Sequence, residues 1–178
     1  MTTQSNNQST FAEMKQLLDS GATFDVFLGG ACGATECWRK GAIALLETHN
    51  LVGFDPNISD WSDEFAAVEQ EAKEQVSVRL YYIGSSTLGN ASIVEAVSEA
   101  IISHFENDTH VVVVLENLPA DGLTIDTGKG IETISPWVAD QVNRGRKYAR
   151  NALKRVGIEY FEDLEDAITK CAQIANDV

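Results

Sequence analysis

Val78-Arg-Leu-Tyr-Tyr-Ile83 runs directly into Gly84-Ser-Ser-Thr-Leu-Gly-Asn-Ala-Ser-Ile-Val-Glu95, and this junction decides the fold. The first six residues, rich in aromatic and β-branched side chains, suit a buried strand. From Ala91 to Phe105 the apolar residues recur at helical spacing. A turn of small polar residues between a buried strand and a helix is where open α/β folds build their sites. Glu95 is expected within the first turn or so of that helix, where the dipole and the unpaired amides favour an ionised carboxylate. Two roles fit it: a nucleophile for an electrophilic sugar carbon at the rim of a nucleotide-sized crevice, or a plain acid at a helix start.

Working outward, His110-Val-Val-Val-Val-Leu115 is apolar throughout, as a strand covered on both faces of a parallel sheet must be. Phe24-Asp-Val-Phe-Leu28 reads as the first strand and Gly29-Gly30-Ala-Cys-Gly33 as its glycine-rich turn. Leu51-Val-Gly-Phe54 is the second strand, ended by Asp55-Pro56-Asn57, and Ile158-Glu-Tyr-Phe161 is the fifth. Helices are predicted over Cys37 to His49, Trp61 to Val76 and Asp163 to Ile174. Two more carry start signals: a capping box at Thr10-Phe-Ala-Glu13 and proline at the first helical position in Ser135-Pro136, from which a helix runs to Arg155. Strands alternating with helices imply a doubly wound, five-stranded parallel sheet in a three-layer α/β/α sandwich. Right-handed crossovers make the flavodoxin-like order 2-1-3-4-5 the default. In that order the turns after strands one and three border one crevice, so Gly29-Gly30 and Glu95 should meet. Residues 1–10 read as a disordered polar tail and 11–178 as a single domain. The stretch from Asn117 to Thr133 has no periodicity and is expected to be a long loop serving as a lid or partner contact.

A formal charge of −14 argues against a nucleic acid polymer as partner. No apolar run has membrane-spanning length, and the polar N-terminus lacks the features of a signal peptide. Cys32, Cys37 and Cys171 are odd in number and lack zinc-like spacing, which points to a reducing cytoplasm. His49, His104 and His110 are scattered, so neither a metal nor another cofactor is expected. Arg144 to Arg155 gathers six of the thirteen basic residues on one helix whose buried stripe is expected to be Val138, Val142, Ala149, Leu153 and Val156. Most of these cations should then face water, the other reading being that Arg144 or Arg146 meets a substrate phosphate. Leu28-Gly-Gly-Ala-Cys-Gly33 does not match the dinucleotide fingerprint, and Gly122 to Lys129 is one residue too long for a phosphate loop. Chemistry must therefore rest on carboxylates, and Glu95 and Asp55 stand at strand ends.

Val26-Phe-Leu-Gly-Gly30, Trp38-Arg39 opening a helix, Phe54-Asp-Pro56 with Trp61 soon after, and Asn90-Ala-Ser-Ile-Val-Glu-Ala96 together resemble the nucleoside 2-deoxyribosyltransferase-like family. Asn143-Arg-Gly-Arg146 and Ile158 to Ile168 resemble its ending. The resemblance implies a flavodoxin-like fold, cleavage or transfer at an N-glycosidic bond, and Glu95 as the nucleophile. A nucleoside or nucleotide would lie against Gly29, Gly30, Asn57, Asn90 and Ser92, and a neighbouring subunit would complete the site in a homo-oligomer. Transferases of this family usually carry an aspartate at the start of the third strand, where this chain has Gln75-Val-Ser77. That leaves a hydrolase, a non-catalytic nucleotide-binding or assembly module, or an enzyme whose second carboxylate is Asp55.

Trp38 and Trp61 lie next to strand ends and suit stacking on a base, although Trp38 also begins an apolar stripe and suits the core. Arg39 sits at a helix start, where the dipole disfavours a cation. It must either pair with an acid or face an anionic ligand.

Overall fold

The computed structural model describes residues 9–31, 38–106, 109–126 and 130–177. Strands β1 (Val26–Gly30), β2 (Gly53–Phe54), β3 (Val78–Ile83), β4 (His110–Leu115) and β7 (Tyr160–Phe161) form one parallel sheet in the order β2-β1-β3-β4-β7. This is the expected 2-1-3-4-5 arrangement. Helices α2 (Trp38–Thr48) and α6 (Leu164–Asp177) cover one face, packing Ala42, Leu46, Ile168 and Cys171 on Val26, Leu28, Leu80 and Val114. On the other face α1 (Phe11–Asp19) and α3 (Phe65–Gln75) bury Phe27 and Phe54. Beside them α4 (Asn90–Glu106) and α5 (Pro136–Arg155) bury Tyr81, Ile83, Val113 and Leu115. Both faces are therefore dry, which is why the strand sequences show little alternation.

Start signals read from sequence are made as real hydrogen bonds. Thr10 caps α1, its hydroxyl accepting from Glu13 N–H while the Glu13 carboxylate accepts from Thr10 N–H at 2.7 Å. Ser135 caps α5, with Pro136 next. Ser9 and Thr10, read as the end of a disordered tail, are held to the domain, since Ser9 bridges Ile58 and accepts from Ser59 N–H at 3.0 Å. Residues 1–8 and both Cys32 and Cys37 lie outside the described residues. Cys171 is buried, and burial pushes its thiol up to about 12, so it is inert at neutral pH.

Two expectations need correction. The stretch from Asn117 to Thr133 is not all loop: β5 (Leu123–Asp126) and β6 (Ile131–Ile134) pair as an antiparallel hairpin outside the main sheet. Its Leu123 and Ile125 pack on Leu118, Ile134 and Ala139. The inner face of α5 also differs from the expected stripe. Arg146 and Arg150 turn inward beside Ala139, Ala149 and Leu153, and only Arg144 of the first two arginines is exposed, paired with Asp140 one turn away at 3.0 Å.

Arg146 has no exposed surface, and its guanidinium fixes the turn after β3. One terminal nitrogen donates to the carbonyls of Gly84 (3.1 Å) and Glu116 (2.5 Å), the other to those of Thr87 (2.5 Å) and Leu88 (3.4 Å). Burial, with Arg150 nearby, lowers its pKa to about 10, so it still carries its proton at pH 7. Glu116 completes the clamp, accepting from Tyr82 O–H at 2.6 Å and from Ser85 N–H at 2.8 Å. Asn143 exchanges two hydrogen bonds with the backbone of Leu118, and Arg150 donates to the Leu115 carbonyl and the Asn117 side chain.

The glycines at the end of β1 are there for packing against β3. A Cβ on Gly29 would stand 2.4 Å from the Tyr81 ring. Gly30 has φ +113°, and a Cβ there would stand 2.2 Å from the Tyr82 carbonyl oxygen, a backbone atom that cannot step aside.

Gly30→Ala should therefore cost about 3 kcal/mol from strain and overpacking, lowering Tm by roughly 6–12 °C for a chain of this size. An unchanged thermal melt would refute the steric account. Arg146→Met leaves four backbone carbonyls without their donor and should cost about 3–4 kcal/mol. Urea unfolding would check it, and a loss below about 1 kcal/mol would show that water replaces the guanidinium easily.

Candidate functional site

Parallel strands that send their helices to opposite faces leave a crevice at their carboxyl ends. Here β1 leads to α2 on one face, and the neighbouring β3 leads to α4 on the other. At that end stand Gly29-Gly30 after β1 and Asp55–Asn57 after β2, and α3 and α4 are linked by the contact of Lys73 with Glu95.

Glu95 lies in the second turn of α4, not the first, and the first turn contains no acid. Side chains, rather than the helix dipole, hold its carboxylate. Lys73 Nζ, from the last turn of α3, donates to Oε1 at 2.8 Å, and Tyr81 O–H donates to the same oxygen at 3.4 Å. The Glu95 side chain keeps 44% of its surface, whereas that of Lys73 keeps 11%, so the amine is buried and the carboxylate still reaches solvent. Lys73 also lies over the rings of Phe27 and Tyr81, at 5.2 and 5.8 Å from their centroids. Tyr81 is held neutral, its pKa pushed up by burial and by the nearby Glu95 and Glu99 charges. The Tyr81 ring is also what fills the space beside Gly29. Gly29 and Glu95, expected to border one crevice, are both neighbours of the Tyr81 ring.

The ionic contacts continue beneath Glu95. Glu99, one turn further along α4, lies 3.8 Å from Lys73 and 2.8 Å from Arg79 of β3. Arg79 in turn donates to the Lys73 carbonyl and the Thr109 hydroxyl. Above it, Glu69 of α3 is one turn before Lys73 and half-buried. Burial raises the Glu69 pKa, Lys73 opposes this, and the Glu95 charge adds to it. The Trp61 side chain hydrogen-bonds its carboxylate. In the sequence Glu69 is one of several acids of α3, and no local spacing sets it apart.

Arg39 resolves its dilemma by pairing with an acid. It is 5% exposed and reaches from the start of α2 over the end of β1, donating to the carbonyls of Leu28 and Gly30, each at 2.7 Å. Its Nε lies 3.4 Å from Asp55. Asp55 also accepts from Asn57 N–H at 2.9 Å, a turn that shapes the end of β2. Burial nevertheless leaves the Asp55 pKa above the ordinary carboxylate value, the Asn57 N–H, Arg39 and Lys40 lowering it only in part.

Trp38 is half-buried against Tyr82, ring centroids 4.9 Å apart, with Arg39 over its ring. Trp61, expected within a helix, instead lies in the loop before α3 and is 58% exposed. Ser92 is half-buried three residues before Glu95 on the same side of α4, and Asn90 is the exposed first residue of that helix. Ser77 is at the amino end of β3, at the edge of the sheet opposite Ser85, where its carbonyl accepts from His110 N–H. Arg146 is committed to the Gly84–Leu88 carbonyls and lies within the wall. A separate cavity of about 360 Å³ opens at that same amino edge, lined by Ser103, His104, Thr109 and His110, and takes no part in the crevice.

No curated protein matches the chain. Among solved structures, the TIR domains of the activated Roq1 resistosome, described as directly recognizing the pathogen effector XopQ, align over 85% of either chain at 16% identity with a TM-score of 0.41. A family model described as nucleoside 2-deoxyribosyltransferase like matches residues 23–118. That span is more than half of the chain and holds both strands flanking the crevice, the Arg39–Asp55 pair and the whole of the helix that carries Glu95. The chain belongs to the nucleoside 2-deoxyribosyltransferase-like family.

Proposed function

We propose that this protein cleaves the N-glycosidic bond of a nucleoside or nucleotide, passing the sugar through a covalent ester on Glu95 to water or to a second base. The observation that carries this is the state of the Glu95 carboxylate, half-exposed in the crevice while Lys73 and Tyr81 both donate to Oε1. A cation lies 2.8 Å from Oε1, and Oε2 has no such donor among the described residues. As the bond from C1′ to the base breaks, the sugar takes on oxocarbenium character and the base gains negative charge. A carboxylate against C1′ stabilises the first and traps it. The chemistry calls for no metal or other cofactor.

In this reading the sugar lies at the carboxyl end of β1, beside Gly29 and Gly30, and Asp55, oriented by Arg39 and Asn57, serves as a second carboxylate of the site. Ser92 and Asn90 meet the sugar from α4, while Trp61 and Trp38 supply ring surface for the base. We place the reaction in the cytoplasm. No helix among the described residues is long and apolar enough to cross a membrane.

A second reading, a nucleotide-binding or assembly module without chemistry, is favoured by one observation. Glu95 ends a run of ion pairs through Lys73 and Glu99 to Arg79 that would also serve to dock α3 and α4 on the sheet.

Glu95→Gln separates the two. It keeps the side-chain volume and removes the trapping charge, so base release from a nucleoside panel, read by chromatography, should fall about a thousandfold or more. A Gln variant within tenfold of the parent would rule out the nucleophile.

We also propose a homo-oligomer. Val94, Ile102 and Phe105 expose an apolar stripe along the outer side of α4, beginning next to Glu95, and a second copy is its expected cover. Light scattering at micromolar concentration should report at least a dimer, and Phe105→Glu should dissociate it. A mass of one chain, with or without nucleoside, would sink the shared interface.

A further inference from the structure

A glutamate nucleophile faces two demands: one carboxylate oxygen must meet C1′, and the ester it forms must then come apart. We propose that Lys73 is a positioning residue that meets both through Glu95, its charge favouring release of the sugar over retention. The inference rests on the reading of Glu95 as nucleophile and deepens it. Lys73 Nζ is 2.8 Å from Oε1, the oxygen to which Tyr81 O–H also donates at 3.4 Å. With Oε1 tied to α3 and β3, Oε2 is the oxygen left to attack.

Burial makes this contact matter for the second half of the reaction. The Lys73 side chain keeps 11% of its surface, and its amine lies over the Phe27 and Tyr81 rings at 5.2 and 5.8 Å. Water is therefore scarce around the ammonium, which depends on nearby anions. Among the described residues Glu95 is the nearest; Glu99 stands 3.8 Å away and is divided with Arg79, at 2.8 Å. Esterification removes the charge of Glu95 and leaves Lys73 facing a neutral carbonyl oxygen. A buried cation stripped of its partner is unfavourable, so the covalent intermediate is raised relative to the free carboxylate. As the sugar leaves, negative charge returns to the carboxylate, and the ammonium is already in place to meet it. Tyr81 touches the same oxygen but is neutral and supplies no such charge.

In the first half the C1′–N bond breaks with its electron pair going to the base, which takes a proton from solvent, and Oε2 bonds to C1′. In the second half the oxygen of water, or a nitrogen of a second base, bonds to C1′ and gives its proton to solvent. The C1′–Oε2 bond breaks with its pair returning to the Glu95 carboxylate. Lys73 keeps its protons throughout.

The test follows the common ribo- and 2′-deoxyribonucleosides and their 5′-monophosphates by rapid quench, with base read by chromatography and the sugar adduct by intact mass. Lys73→Met removes charge and donor, Lys73→Gln removes only the charge, and Lys73→Arg keeps both. In the Met and Gln variants the ratio of steady to first-turnover base release should fall about tenfold or more. The protein should then carry the mass of one sugar during turnover. Lys73→Arg should bring the ratio back to within about threefold of the parent, since its charge is permanent. A docking role alone would lower the melting temperature and slow both phases together.

A parent-like ratio in the neutral variants, or a Gln variant restored as fully as Arg, would overturn the role of Lys73 and leave the nucleophile standing. Failure of both neutral variants to fold would assign the amine to the scaffold and overturn that role as well. Absence of base release and of a sugar adduct from the parent across the whole panel would overturn the glycosidic reading and this inference with it.

Discussion

Everything at the mouth of the crevice depends on one buried cation. Arg146 reaches from the middle of α5, under the turn after β3, and ties four backbone carbonyls from Gly84 to Glu116 into one rigid piece. A turn built of Gly84-Ser-Ser-Thr has no side chains large enough to pack itself in place. The guanidinium supplies the missing core, with a planar fork of donors that lysine could not match. Its cost is desolvation, visible in the lowered pKa, and it is offset by saturating carbonyls that would otherwise be orphaned. The turn in turn sets where α4 begins, and therefore where Glu95 stands.

Cations recur inside this acidic chain. Arg39, Lys73, Arg79, Arg146 and Arg150 are all buried although the net charge is −14, so much of the scarce positive charge is withdrawn to organise strand ends and helix contacts. Arg39 ties β1 to Asp55, Arg79 ties β3 to Glu99, and Lys73 ties α3 to α4 through Glu95. The surface left behind is strongly acidic. Such a surface suits a small uncharged ligand, or an anionic one met by inward-facing cations, better than a phosphate polymer.

The candidate site borrows its electrostatics from this scaffold. Tyr81 fills the space beside Gly29, donates to Glu95 and forms part of the aromatic bed on which Lys73 rests. Packing and chemistry are therefore coupled at that ring: the side chain that makes glycine necessary in β1 also helps position the carboxylate in α4. The Lys73–Glu95 contact is set by where α3 and α4 lie on the sheet, and a shift of either helix along its axis would separate it.

The sequence by itself determined the elements whose local chemistry is decisive. The runs Val78–Ile83 and His110–Leu115, rich in β-branched and aromatic side chains, match β3 and β4 to the residue, as strands covered on both faces should. The capping signals at Thr10 and Ser135, the alternation of strands with helices, and the strand order that follows from handedness were equally legible. Tertiary structure alone decided the rest. The hairpin of β5 and β6 shows little periodicity because it packs at the margin of the domain, on a small cluster around Leu118. Arg146 and Arg150 read as solvated because charge usually is, and only the carbonyls waiting at the strand ends make their burial favourable. Glu95 was legible as a candidate, but its partners Lys73 and Tyr81 come from segments 22 and 14 residues away along the chain. What brings them together is the packing of two helices on one sheet, a geometry that no local spacing encodes.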